Sequence, residues 1–189
     1  PEAEKNGTED MIIEVASTSK ISFPGAGIAV LSASENNCRM IKQRMNAQII
    51  GHDKINQLRH ARVLKDVNGL REYMKRHAAI LKPKFDIVLR TLDRDLSGSG
   101  IAEWTHPKGG YFISLEVMPG CAKRVVELCR LAGVVLTNAG ATYPYGKDPK
   151  DANLRIAPSF PPLAELRMAA QVLCLCVRLE EIKKMLTER

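Results

Sequence analysis

The residue whose setting most invites chemistry is Lys20, in Ser17-Thr18-Ser19-Lys20. It follows a short apolar run and precedes Phe23-Pro24-Gly25-Ala26-Gly27, a breaker-rich loop. A lysine amine that forms a Schiff base has to be partly desolvated, so that its pKa falls, and has to reach an aldehyde carbon. Serines just ahead of such a lysine can hydrogen-bond a phosphate, and a glycine loop lets backbone N–H groups approach it. Alone, S-T-S-K describes an ordinary surface lysine better than a reactive one. Its weight comes from a second series further along: His106-Pro107-Lys108-Gly109-Gly110-Tyr111-Phe112, then Ala132-Gly133-Val134, a glycine loop at Gly140, and Asn153-Leu154-Arg155-Ile156.

The elements that must position these residues follow from hydrophobic spacing. Met11 to Ala16 is a short apolar run suited to a buried strand, and Ile28 to Leu31 a second. Ser32 and Glu35 have capping-box spacing and open a helix whose apolar positions are Cys38, Ile41, Met45 and Ile49. Gly51-His52-Asp53 breaks it, and a shorter helix covers Lys54 to Asp66. Leu70, Met74, His77, Leu81, Phe85, Val88 and Leu92 then recur at helical spacing, which predicts one long amphipathic helix. Pro83 inside it is expected to kink or split it. Ser97-Gly98-Ser99-Gly100 ends that helix.

Beyond it the period changes. Ile101 to Trp104 and Tyr111 to Val117 read as strands, with Tyr111, Ile113, Leu115 and Val117 on one face. Ala122 to Ala132 reads as a helix closed by Gly133. Val134 to Leu136 and Leu154 to Ala157 are further strand candidates, with a loop over Asn138 to Lys147. A final helix runs from Pro161-Pro162 to about Glu188. The reading is α/β: residues 1–66 belong to a larger α/β domain, 67–96 to a long connecting helix, and 97–189 to an α+β small domain. Residues 1–10 read as a loop or a cut end. Pro1 in place of Met hints that the sequence starts partway into a longer protein.

The 189 residues carry 28 Lys and Arg against 21 Asp and Glu, a formal charge of +7. With 45% hydrophobic residues this is globular composition, not disorder or fibre. The pI near 9.3 would suit nucleic acid, but the basic residues are spread along the chain and interleaved with helix-spaced apolar ones, so no nucleic-acid partner is expected. No apolar run is long enough for a membrane span. Cys38, Cys121, Cys129, Cys174 and Cys176 are odd in number and lack CxxC spacing, so they read as reduced thiols of a cytoplasmic protein. Asp93-x-Asp95-x-Ser97-Gly98 starts like a calcium loop but has Trp104 where the bidentate Glu belongs. His52, His60, His77 and His106 have no ligand spacing, and no metal is expected. His77 reads as a core or interface histidine. The polar stretch Asn56-Gln57-Leu58-Arg59-His60 reads as a dimer surface or an exposed helix.

Taken in order, S-x-S-K, P-x-G-G-x-F, A-G-V, a glycine loop and N-x-R resemble the C-terminal half of class I aminotransferases. These are the pyridoxal 5′-phosphate (PLP) enzymes of fold type I. The stretches Ser17 to Ile28, Gln48 to Val63 and Trp104 to Ser159 are most similar to the aspartate-aminotransferase branch related to MocR proteins. The resemblance implies the PLP-dependent transferase type I fold, here the end of the large domain plus the small domain. It implies that Lys20 holds PLP as a Schiff base and shuttles a proton as base and acid. Ser17 and Ser19 would contact the PLP phosphate. Arg155 would bind the substrate α-carboxylate with its bidentate fork. Gly110, beside Gly109, would lie close to substrate, and Tyr143 matches the aromatic of the glycine loop. The implied substrates are an amino acid, such as aspartate, and a 2-oxo acid, with a homodimer as the working form.

Two departures qualify the resemblance. The family usually carries an arginine in the loop after the lysine, gripping the phosphate, and here Gly27 occupies that place. The acid that pairs with the pyridine nitrogen lies well upstream of the lysine in this family, and Glu2, Glu4, Glu9, Asp10 and Glu14 do not match it. The expectation is therefore a fragment of a longer enzyme, inactive by itself. The alternative is a catalytically inactive, aminotransferase-like interaction or ligand-sensing module.

Overall fold

In a computed structural model that describes residues 2–187, the chain divides after His77 into two compact units. Residue 188, where the last helix was expected to end, lies outside the described residues.

The first unit starts with one helical turn, α1 (Glu2–Lys5), and a 3-10 turn at Glu9–Met11, where only loop was expected. Strands β1 (Ile13–Ser17) and β2 (Ala29–Ala33) pair antiparallel, with Val15 opposite Leu31 and Ser17 opposite Ala29. The strands form where the apolar runs predict them, but they are not buried. Val15 is 69% and Val30 62% exposed, because no described element covers either face of this two-stranded ribbon.

Helix α2 (Glu35–Gln48) is capped by Ser34, whose Oγ accepts from the Asn37 N–H at 3.2 Å. The expected cap, Ser32, is taken up in the β2 ladder opposite Glu14. Helix α3 (Lys54–Leu64) is capped by Asp53, which accepts from the Asn56 N–H at 2.9 Å. The carboxylate of Asp66 then accepts from Gly69 N–H at 2.8 Å and starts α4 (Val67–Leu96). This 30-residue helix is not split at Pro83. Proline removes one backbone donor, at a cost of about 3 kcal/mol in a helix interior. Val88, Leu92 and Leu96, all essentially inaccessible, anchor the turns that follow. Burying each such side chain is worth about 1.5–3 kcal/mol, which outweighs the loss.

The second unit holds a three-stranded antiparallel sheet in the order β3 (Ala102–Trp104), β4 (Ile113–Val117), β5 (Asn153–Ile156). Ile113, Leu115 and Val117 are buried and alternate with the more exposed Ser114 and Glu116. They join Val88, Leu92, Leu96, residues of α5 (Ala122–Leu131) and residues of α6 (Leu163–Thr187) in one apolar core. Cys129 and Cys176 pack in that core, as their helix positions predict.

The strand expected at Val134 to Leu136 does not form. Those residues pair with no strand, because the chain there is still closing α5. Gly133, at φ +85°, donates to the Arg130 carbonyl, and Val134 donates to Cys129 at 2.8 Å, which is a Schellman closure. The calcium-loop carboxylates are also accounted for. Asp93 accepts from Trp104 Nε1 at 3.1 Å, and Asp95 accepts two hydrogen bonds from Arg94. Among the described residues no cluster of metal-ligating side chains occurs.

Candidate active site

In the first unit, Lys20 stands on the loop between β1 and β2. The loop is closed at its neck by Thr18. The Thr18 N–H donates to the Ile28 carbonyl at 2.9 Å, and the Ile28 N–H donates back to Thr18 Oγ1 at 2.9 Å. Ile21 and Ser22 turn back on the Thr18 carbonyl, so the segment carrying Lys20 is a tight turn. Ser17 and Ser19 lie beside it with their hydroxyl oxygens 2.7 Å apart, and the Ser19 N–H donates to Ser17 Oγ at 3.1 Å. Ser17, Ser19 and Lys20 are all exposed. The partial desolvation that Schiff-base chemistry needs is therefore not supplied by the first unit itself.

Gly27 is explained by the same geometry. A Cβ there would sit 2.6 Å from Ser19 Oγ and 2.9 Å from Ser19 Cα. No side chain fits, so an arginine at this position would displace the serine. The Gly27 backbone instead approaches Ser19 closely.

Sequence reasoning missed His60. Of the stretch 56–60, expected as a dimer surface or an exposed helix, Gln57, Leu58 and Arg59 are exposed on α3. His60 departs from this: it turns inward, 2% exposed, onto the Lys20 loop. His60 Nε2 lies 2.8 Å from Ser22 Oγ and 3.1 Å from Thr18 Oγ1. Asn56 Nδ2 donates to the Ala26 carbonyl at 2.8 Å, and the Phe23 ring meets His60 edge-on. The only signal in the sequence was a histidine one turn beyond Asn56. Its contacts are about 40 residues away in the chain. His77 is half-buried and stacks at a tilt against Tyr73, 4.7 Å between centroids.

In the second unit, Arg155 projects from β5, opposite Ser114 of β4. Its guanidinium lies over the Phe112 ring, 4.5 Å from the centroid. Its Nε is buried with no hydrogen-bond partner. A buried guanidinium nitrogen is costly to leave unpaired, so this one is a donor waiting for an acceptor. Arg155 also lines a cavity of about 130 Å³ with Val88, Leu136, Pro161 and Leu173. Gly110, at φ +87°, is in an exposed turn ahead of Phe112.

Tyr143 is half-buried in the loop after Gly140. The nearby Asp148 carboxylate pushes its phenol pKa up. Gly140, at φ +83°, meets the chain again at Gly146, where a Cβ would come within 2.3 Å of the Gly146 carbonyl oxygen. Behind the loop, Asp148 accepts from the N–H groups of Lys150, Ala152 and Asn153. Those bonds, that of Asn153 foremost, hold its carboxyl below the usual range. The buried Asn153 side chain accepts from Thr142 Oγ1 at 2.7 Å and donates to Ser114 and Glu116. Thus the Asn of N-x-R ties the glycine loop to the strand bearing Arg155.

In the first unit, a pair of serine hydroxyls next to a lysine are donors of the kind a PLP phosphate takes; in the second, an arginine with an unpaired buried nitrogen is a donor of the kind a carboxylate takes. The fold agrees: it is that of fold type I PLP-dependent transferases. Over residues 1–189 the sequence matches the Aspartate amino-transferase family, and the chain belongs to that family. It is 46% identical over 176 residues to an aspartate aminotransferase of Corynebacterium glutamicum, covering 93% of this chain and 41% of that one. The crystal structure of an aspartate transaminase from Corynebacterium glutamicum superposes with a TM-score of 0.93 at 45% identity, covering 96% of this chain and 43% of that one. LysN, an α-aminoadipate aminotransferase from Thermus thermophilus complexed with N-(5′-phosphopyridoxyl)-L-leucine, shares the fold with a TM-score of 0.76 at 21% identity. It is matched over 94% of this chain and 44% of its own. The chain thus spans less than half the length of the curated relatives it matches. No helix of the described residues is long and apolar enough to cross a membrane.

Proposed function

We propose that this chain supplies the lysine and the substrate arginine of a PLP-dependent aminotransferase. That enzyme moves an amino group between an amino acid, aspartate or a similar acid, and a 2-oxo acid in two half-reactions. The observation that carries the reading is the Ser17–Ser19 hydroxyl pair, 2.7 Å apart and adjoining Lys20. It stands in a chain whose whole length matches an aminotransferase family.

When bound, PLP supplies an electron sink for the bond to the substrate Cα. This chain's own residues would take the following roles. Lys20 Nζ would hold the cofactor and would move a proton to and from the substrate Cα as base and acid. Ser17 and Ser19 would donate to the phosphate, with Gly27 packed closely against Ser19. The Arg155 fork takes the α-carboxylate, pre-oriented by Phe112. Gly110 lets backbone pass close to the substrate, and Tyr143 flanks it from the glycine loop.

In this reading residues 1–66 complete the large, PLP-binding domain, residues 67–96 are the connecting helix and residues 97–189 form the small domain. The enzyme works as a cytoplasmic homodimer, consistent with five unbridged cysteines and with a family that builds its sites across a two-fold axis. The order S-x-S-K to N-x-R supports a place in the MocR-related branch.

The test is to treat the whole enzyme with PLP and borohydride and to map the adduct. Reduced PLP on Lys20, and loss of both adduct and transamination in Lys20→Ala, are expected. Retained turnover in Lys20→Ala would overturn the assignment. An unmodified Lys20 would point to the sensing module instead.

A further inference from the structure

Within the first unit, Ser22 and His60 are the only buried residues among those described, and they are hydrogen-bonded to each other. The most protected point of this unit is therefore a polar pair, not an apolar core. Apolar contacts tolerate sliding, whereas hydrogen bonds fix distance and direction. A unit that keeps its burial for a histidine and a serine thereby fixes a shape.

What it fixes is the loop bearing Lys20. The Asn56 carbonyl can only accept, so the His60 Nδ1–H donates to it at 2.9 Å. With Nδ1 as the donor, the single Nε2 lone pair faces the hydroxyls of Ser22, at 2.8 Å, and Thr18, at 3.1 Å, and accepts from one of them at a time, while Ser22 Oγ also lies 3.0 Å from the Thr18 carbonyl. Thr18 is two residues before Lys20 and Ser22 two residues after. One ring nitrogen therefore faces both flanks of the lysine. The same helix face adds Asn56 Nδ2 on the Ala26 carbonyl at 2.8 Å and the Arg59 guanidinium over Phe23 at 5.7 Å.

Resting on the reading of Lys20 given above, we propose that His60 is a positioning residue for Lys20. It acts through Thr18 and Ser22 and touches neither substrate nor cofactor. Without it the Thr18–Ile28 turn loosens, and the backbone that carries Lys20 next to Ser19 loses its fixed shape. The effect falls on PLP capture at Lys20 and not on the core of the second unit.

The experiment compares His60→Phe, His60→Gln and wild type in the whole enzyme. Phe keeps the ring and its packing against Phe23 but makes no hydrogen bonds. Gln loses the ring, but its amide reaches toward Ser22. Two quantities are read: amide hydrogen exchange of residues 18–28, and the rate at which PLP is fixed to Lys20 under borohydride. In His60→Phe the loop amides should exchange about tenfold faster and capture should fall about tenfold, the scale of one lost buried hydrogen-bond partner. His60→Gln should recover part of both, and exchange in residues 113–117 should not change. Were ring packing the whole role, Phe would match wild type and Gln would be the worse variant, which would overturn the proposal. If His60→Phe does not fold, Ser22→Ala is read the same way, and wild-type exchange and capture there would also overturn it. If wild type itself captures no PLP at Lys20, the cofactor reading fails. If wild type and His60→Phe capture equally, only the positioning role fails.

Discussion

The turn that carries Lys20 and the sheet that carries Arg155 are held by different forces. Around Lys20 the fixing groups are hydroxyls, a histidine and backbone amides, closed over a ribbon whose faces are exposed. Around Arg155 the strand is part of a ladder backed by Ile113, Leu115, Leu154 and Leu92, none more than 1% exposed. The first arrangement gains direction and little burial. The second gains burial, and borrows direction from one polar knot at Asn153 and Asp148. In the proposed function the Lys20 amine and the Arg155 fork each need orientation. The difference lies in how much stability each unit brings to the task.

The comparison is most easily broken in the core. Leu92→Ala should cost about 3 kcal/mol in urea unfolding of the second unit, from lost transfer and a residual cavity. Amide exchange of residues 18–28 should be unaffected by it. Accelerated exchange there would show that the two regions share one source of stability.

Next in size, Gly27→Ala should strain the Lys20 loop by about 1–2 kcal/mol, since the new methyl displaces Ser19 from Ser17. The loss should be read as faster loop exchange and slower PLP capture, with little change in the main unfolding transition. An unchanged loop would mean that it yields freely, and the account of Gly27 would fall.

A smaller effect concerns Glu181, fully buried on α6. Its Oε1 accepts the Met118 N–H at 2.8 Å, and its Oε2 has no partner. Burial raises its pKa above the ordinary 4.5, with Lys184 and the Met118 bond opposing and Glu180 adding to the rise. Because the folded value is the higher one, the stabilisation is fully present below the ordinary pKa. It is lost as pH rises through the folded value. Glu181→Gln cannot ionise, so its melting temperature should gain on wild type as pH rises above about 4.5. A pH-independent gap would sink this.

The smallest effect is a rate. Burial pushes the Cys174 thiol up to about 12 and raises Cys121 and Cys129 as well. Half-buried Cys38 should therefore be alkylated by iodoacetamide first, and the other four only on unfolding.

The second unit was the more legible in sequence for the same physical reason. Apolar burial writes a period into the chain: the alternation through β4 and the helical spacing of Val88 and Leu92 name the core directly. That Ser17, Ser19 and Lys20 share one turn was legible through a motif. What held them was not, because His60 meets Thr18 and Ser22 across about 40 residues and hydrogen-bond partners leave no period. The displaced cap at Ser34 is a competition between two serines that only ladder registry decides. The false strand at Val134 came from apolar residues completing a helix closure.

Gly140 has an evolutionary consequence. Its backbone passes so close to the Gly146 carbonyl that even a methyl group would collide, whereas Tyr145 nearby is 97% exposed. The loop that presents Tyr143 therefore has one position closed to mutation and others open. The loop's exposed side chains can drift, and every descendant has to keep the same pinch of main chain beneath them.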